Sequence, residues 1–332
     1  MTSPLAKNVR RVKRLMALSA VMMTAGGCTH HSLDCMPVTD GVTVKVEFDW
    51  GDTSVDPPRE MTVHFFPENE QTSTSVSIYD FKTLEGGLAY LRPGRYMAIC
   101  YNSDAGGYNL SGRRSFYDFG MQLRDASVVM PVAAGAQDER MAGSPDEIWA
   151  GALEVMEVPT DDSDLPIEVP RATIRFNVES VVQRFTVRIK EAKNYNRLTV
   201  MRASISGLAG EYHPGRQAMG DEPVTLSMQL RPLDDGSLEG SMITFGHCGA
   251  HASGGRGSDE AQTPHYLVIC AVLADGSSWA KNYDVTQRIH SSSHPHPVLE
   301  LQSLTLPEMD TGDGFRPTVG EWVPGSSEEI GM

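Results

Sequence analysis

The sequence predicts an all-β protein made of two tandem β-sandwiches. Apolar and polar residues alternate with period two in one segment after another, which is the mark of half-buried strands. Turn signals recur every 8–12 residues or so, as sandwiches require. Beyond the first 27 residues, no stretch keeps a 3.6-residue apolar period over three turns. The 31 Gly and 20 Pro among 332 residues favour turns over long helices.

The N-terminus predicts export and anchoring. Lys7, Arg10, Arg11, Lys13 and Arg14 form a basic head, and Leu15 to Ala25 is uncharged and apolar. That stretch is shorter than the ~20 residues of a membrane-spanning helix and fits a signal-peptide core. Ala25-Gly26-Gly27-Cys28 follows. Small residues fit a peptidase site, and the Cys28 thiol is the nearby nucleophile able to take a diacylglycerol. The segment resembles a bacterial lipobox, with Ala25 where Leu is commonest. Residues 1–27 are read as the signal peptide, Cys28 as the lipidation site and 28–40 as a tether. Thr29 rather than Asp follows the cysteine, which favours the outer membrane by analogy and leaves its periplasmic and surface faces open. Acyl chains contribute ~0.8 kcal/mol per buried CH₂ to holding such a protein on a membrane.

The first sandwich is expected over 41–165. Val42, Val44, Val46, Phe48 and Trp50 share one face of a strand. Met61–Phe65 repeats the pattern after a turn at 51–58. Residues 68–77 are polar and read as a loop or hairpin tip. Pro93-Gly94 turns the chain into Arg95–Tyr101, a nearly continuous buried strand. Ser127–Val132 is a further candidate strand. Ser144-Pro145-Asp146-Glu147 has the form of a capping box with Pro at N1 and predicts a short helical turn. Ala152–Val158 is extended, and the acidic, turn-rich run around Asp161, Asp162 and Asp164 marks the boundary.

The second sandwich is expected over 166–310. Ile174, Phe176 and Val178 share a face, as do Phe185, Val187 and Ile189, and Val224, Leu226, Met228 and Leu230. Residues 243–245, 266–273 and 298–306 are further strands. Tyr96–Cys100 (YMAIC) and Tyr266–Cys270 (YLVIC) echo each other, as central strands of two related units would. Residues 311–332 form a tail or a final strand, with Thr318–Met332 a candidate for strand pairing.

Charge and motifs remove several functions. Five of the 28 basic residues lie in the signal, so the mature chain sets 23 bases against 43 acids. Such a balance repels phosphate backbones and excludes nucleic acid as a partner. No Gly-x-Ser-x-Gly elbow, phosphate loop or dinucleotide fingerprint is present. His30-His31 and His294-Pro295-His296 lack the spacing that holds metal ligands on one face. The Asp161 cluster lacks the spacing of a calcium loop. No enzyme, metal, cofactor or small-molecule substrate is expected. With Cys28 lipidated, Cys35, Cys100, Cys248 and Cys270 allow three full disulfide pairings, and Cys100 and Cys270 read as buried free thiols inside strands. Trp50, Tyr79, Tyr90, Tyr101, Tyr108, Phe116, Tyr117 and Phe119 read mainly as core; exposed, they would make a sugar-stacking platform. That leaves a surface glycan-binding lipoprotein of a nutrient-uptake system as the alternative function.

The lipobox, the strand GVTVKVEFDW, PGRYMAICYN, PDEIWAGALEVMEVP and RATIRFNVESVVQRFTVRIKE together resemble the Bacteroidales lipoproteins related to fimbrillin-associated anchor proteins. The resemblance covers nearly the whole mature chain. It implies two tandem transthyretin-like β-sandwiches in an outer-membrane lipoprotein. It also implies a role in anchoring or assembling a fimbria-like structure with a fimbrial subunit as partner. The mechanism implied is β-strand addition, in which a partner's extended segment fills an open sheet edge.

Overall fold

Alternation at 42–50 builds β1 (Val42–Asp49), whose Val42, Val44, Val46 and Phe48 are buried. In the computed structural model the described residues are 41–51, 58–68, 76–127, 130–131, 133, 135–160, 165–195, 198–248, 263–274, 276–292, 296–307 and 330–331. The first half continues with β2 (Met61–Pro67), β3 (Ser77–Phe81), β4 (Gly86–Leu91), β5 (Gly94–Asn102) and β6 (Tyr108–Ser111). It closes with β7 (Gly120–Leu123), β8 (Arg140–Ala142) and β9 (Trp149–Val158). The second half holds β10 (Ala172–Asn177), β11 (Glu179–Ser180), β12 (Gln183–Lys193), β13 (Leu198–Ala209), β14 (Glu211–His213) and β15 (Ala218–Met219). It goes on through β16 (Pro223–Gln229), β17 (Arg231–Pro232), β18 (Leu238–Thr244), β19 (Tyr266–Leu273) and β20 (Ser278–Asp284). A short helix α1 (Thr286–Ser291), β21 (Val298–Thr305) and β22 (Ile330–Gly331) complete the described chain.

The fold is all-β, as expected. Sheet A has the order β10-β1-β4, and sheet B has β11-β9-β5-β2-β3. Their facing side chains, among them Val44, Phe48, Phe65, Cys100, Trp149 and Phe176, form one core. Sheet D (β20-β19-β13-β16-β8) and sheet E (β17-β18-β12-β21-β22) enclose another. That second core also takes in Phe66, Ile99 and Tyr101 from the far face of sheet B. Sheet C (β15-β14-β7-β6) joins strands from both halves.

Strand pairing crosses the expected boundary at 165–166. Strand β10, which opens the second half, runs parallel to β1 with Val46 opposite Ile174 and Phe48 opposite Phe176. In return β8 runs parallel to β16, with Ala142 opposite Leu226. Each half donates a strand to the other's sheet, and residues 42–332 form one unit. Inward apolar faces set this exchange: Ile174, Phe176 and Val178 fit the core of the first sheet pair, not the second.

Other differences have local causes. Strand β2 does not alternate, because both faces of sheet B are covered; Met61 through Phe66 are all buried. Strand β3, which begins at Ser77, extends sheet B antiparallel to β2. The capping-box segment forms no helix, since its side chains are engaged elsewhere. Ser144 Oγ accepts from Ile243 N at 2.8 Å and donates to Ile243 O at 3.0 Å. Asp146 Oδ2 accepts from Gly106 N at 2.7 Å, and Glu147 Oε1 accepts from Ser180 Oγ at 2.7 Å. The described residues 127, 130 and 131 of the candidate strand at 127–132 are not in a strand. In the echo pair, β5 is the middle strand of sheet B, whereas β19 lies next to the edge of sheet D.

Candidate functional site

A strand can accept a partner only where its backbone groups on one side lack neighbours. Among the edges, β17, β11 and β15 have two residues each and β8 has three, while β3, β4 and β20 have five, six and seven. Strand β21 lies inside the two-residue β22 at the end of its sheet. Its inner side runs parallel to β12 from Thr186–Val298 to Lys193–Thr305. On its outer side, among the described residues, only Glu300 and Leu301 are paired, with Gly331 and Ile330 of β22. Six of the eight residues therefore present an outer edge without a described strand beside it.

Local sequence fixes how this strand sits on the sheet pair. Leu299, Leu301 and Leu304 are buried and hold β21 on the second core. The opposite face carries polar Gln302 and the Glu300 carboxylate. Glu300 accepts from Lys190 Nζ at 2.5 Å and from Gln302 Nε2 at 3.0 Å, and the lysine holds its carboxyl below the usual range. Edge strands are commonly blunted by bulges, prolines or lysines. Strand β21 contains no Pro and no Lys.

The sequence-expected features fall in several places. Cys28 and Cys35 lie outside the described residues, as do His30, His31, His294, Asp161, Asp162 and Asp164. Of the candidate pairing segment 318–332, Ile330 and Gly331 are described and do pair, on β21. Cys100, Cys248 and Cys270 are free thiols. Cys100 and Cys248 are buried and Cys270 is half-buried; burial pushes Cys248 up to about 12 and raises the other two. His296 is engaged by the backbone, its Nδ1 accepting from Arg184 N at 3.1 Å.

The aromatic residues considered for a sugar platform are mainly core. Tyr101, Tyr108, Phe116 and Phe119 are buried. Trp50 donates to Leu84 O at 2.9 Å and meets Trp149 edge-on, while Tyr117 is exposed. An open cleft of about 730 Å³ lies beside sheet A. Glu47 in it is bound by Lys45 at 2.7 Å and by Arg175 at 2.8 Å. These cations hold its carboxyl below the usual range, so it stays an ionised structural partner. Neither histidine nor cysteine lines this cleft.

Comparison with known proteins follows the same outline. The family described as a domain of unknown function (DUF5119) matches residues 27–229. A Bacteroides ovatus protein named as a fimbrium anchoring subunit, Fim4B, is 22% identical over 344 residues, covering 95% of this chain and 97% of the relative. A crystal structure of a Bacteroides ovatus protein described as an adhesin has 17% identity and a TM-score of 0.60. It covers 86% of this chain and 99% of that one, and it shows the same fold. The fimbrial anchor protein Mfa2 of Porphyromonas gingivalis has 12% identity and a TM-score of 0.46 over 78% of this chain and 90% of its own.

Proposed function

We propose that this chain, which belongs to the DUF5119 family, is a lipid-anchored component of a fimbria-like surface structure. In this reading Cys28 carries the lipid at the outer membrane. The outer edge of β21 receives an extended segment of a fimbrial subunit by β-strand addition. The protein acts by holding, not by catalysis. The observation that carries the reading is the outer side of β21, where, among the described residues, two of eight positions are paired. Each backbone hydrogen bond gained there contributes ~1 kcal/mol net, so a run of several gives a long-lived joint. The naming of Fim4B as an anchoring subunit, matched over 95% of this chain, supports the same role. The signal-like leader ending at Cys28 supports the membrane attachment.

Two experiments test it. Cells grown with labelled palmitate should yield labelled protein in the outer-membrane fraction, and Cys28→Ala should remove both label and attachment. Mild-detergent extraction should recover a polymerising subunit with the wild-type chain. Gln302→Pro and Ser303→Pro address successive backbone positions, one facing β12 and one facing outward. The outward one should abolish recovery of the subunit while leaving the melting temperature nearly unchanged. Recovery unaffected by both variants would refute addition at β21.

A further inference from the structure

We propose that the loop at 165–169 is a membrane-contact site, which sets Leu165, Ile167 and Val169 into the headgroup–acyl boundary of the bilayer that holds Cys28. The proposal rests on the reading of Cys28 as the lipid site. Twelve large apolar side chains are exposed among the described residues, and three of them fall within these five positions. Leu165 is 54% exposed, Ile167 55% and Val169 39%. Single exposed apolar residues are ordinary, whereas a cluster marks a surface that meets something other than water.

The place of the loop names the partner. Arg171 N donates to Thr43 O at 2.7 Å, and the Thr43 hydroxyl donates to Ile167 O at 2.5 Å. The loop is therefore bonded to the second residue of β1, where the chain from the anchor enters the fold. Cys28 and Val42 are 14 positions apart, so the connection spans at most about 50 Å. Tension on the lipid acts at Val42 and draws this end of the first sheet pair towards the bilayer.

The backbone of the loop suits an apolar setting. An unpaired backbone group costs far more in lipid than in water. The Arg171 guanidinium donates to Leu165 O at 2.9 Å, Pro166 O at 3.3 Å and Val169 O at 2.5 Å. Val169 N donates to Pro166 O at 3.0 Å. With Ile167 O bonded to Thr43, four of the six carbonyls at 165–170 have partners inside the protein. Pro166 and Pro170 carry no N–H. In water alone none of these partners is needed, because solvent serves each carbonyl. The surrounding charge is mixed. Glu168 lies within the loop, and Asp161, Asp162 and Asp164 precede it in sequence. Arg92 is exposed at the same end, since Leu91 lies opposite Val42. The attraction to lipid is thus apolar, and a neutral bilayer suits it better than an anionic one.

The test uses the lipidated chain in phosphatidylcholine vesicles. Ile167→Trp should add an emission that lipids brominated in the acyl chain quench at least twofold. Val272→Trp, in the second sheet pair, should add one that they leave unchanged. A second arm sediments the unlipidated chain from residue 28, carrying Cys28→Ala, with the same vesicles. Leu165→Ser/Ile167→Ser/Val169→Ser should weaken its partitioning about tenfold, with an unchanged melting temperature. Salt from about 0.05 to 0.5 M should leave partitioning as it is. A lipidated chain without quenching at position 167 overturns the loop site and spares the anchor. A Cys28 that takes no lipid defeats the anchoring reading instead, and sedimentation then decides the loop by itself. There, absent partitioning, partitioning lost in salt, or partitioning equal in the triple variant overturns the proposal. A loop that leaves water only when a fimbrial subunit is added marks a protein contact, and that result overturns it too.

Discussion

The carboxylate of Glu139 accepts a hydrogen bond from the Thr225 hydroxyl at 2.8 Å. The same oxygen accepts from Gly207 N at 3.0 Å. One first-half side chain thus ties β16 to β13 in the second sheet pair. Burial raises the carboxyl of Glu139 above its ordinary value against these two bonds. An acid raised on folding binds more protons folded than unfolded between its two values, so its contribution falls as pH rises. Glu139→Gln keeps an acceptor and removes the charge. Its urea midpoint at pH 7.5 should exceed that of wild type, and the gap should close towards pH 4.

His64 works in the opposite sense. It is fully buried between Phe66, Tyr101 and Phe119, and burial lowers it to about 4 from 6.5. A histidine held neutral by the fold gains protons on unfolding between those values, so stability falls as pH drops from 6.5 to 4. The loss expected from this group is about 3 kcal/mol at full extent. His64→Leu should flatten the acid side of the stability profile, measured by denaturant melts at half-unit pH steps.

Gly86 and Gly51 separate backbone strain from steric conflict. Both have positive φ, +105° and +57°. A Cβ on Gly86 would meet Val46 O at 1.9 Å, whereas one on Gly51 meets nothing within 4 Å. Gly51→Ala should cost about 1 kcal/mol and Gly86→Ala more than ~3 kcal/mol. Equal losses in chemical denaturation would contradict the packing of β4 on β1.

The strand exchange predicts a single calorimetric transition for residues 28–332. Separate melting of a first and a second half would contradict it. Ser144→Ala, which removes both bonds to Ile243, should lower stability by about 1 kcal/mol.

The fold was legible in the sequence where one face of a strand meets water. Val42–Phe48 and Phe185–Ile189 alternate because their other faces are solvated. Strand β13 left no such trace. It lies inside sheet D, and its buried positions include Ala203, Ser204, Ser206 and Ala209, small residues that give no apolar–polar alternation. The capping box misled because a local pattern is silent about distant partners such as Ile243. At the candidate site, β21 itself was readable, but its position at an edge was not. Period-two alternation names the inward face of a strand and carries no information about its lateral neighbours.

Strand β1 begins just downstream of the segment that would carry the anchor, and β10 lies beside it in the same direction. A pull entering at Val42 and leaving beyond Asn177 would load the ladder from Val44–Ala172 to Asp49–Asn177 along its length. In that geometry the bonds resist together in shear instead of unzipping one at a time. Tension along that line would then fall on a ladder oriented to share it.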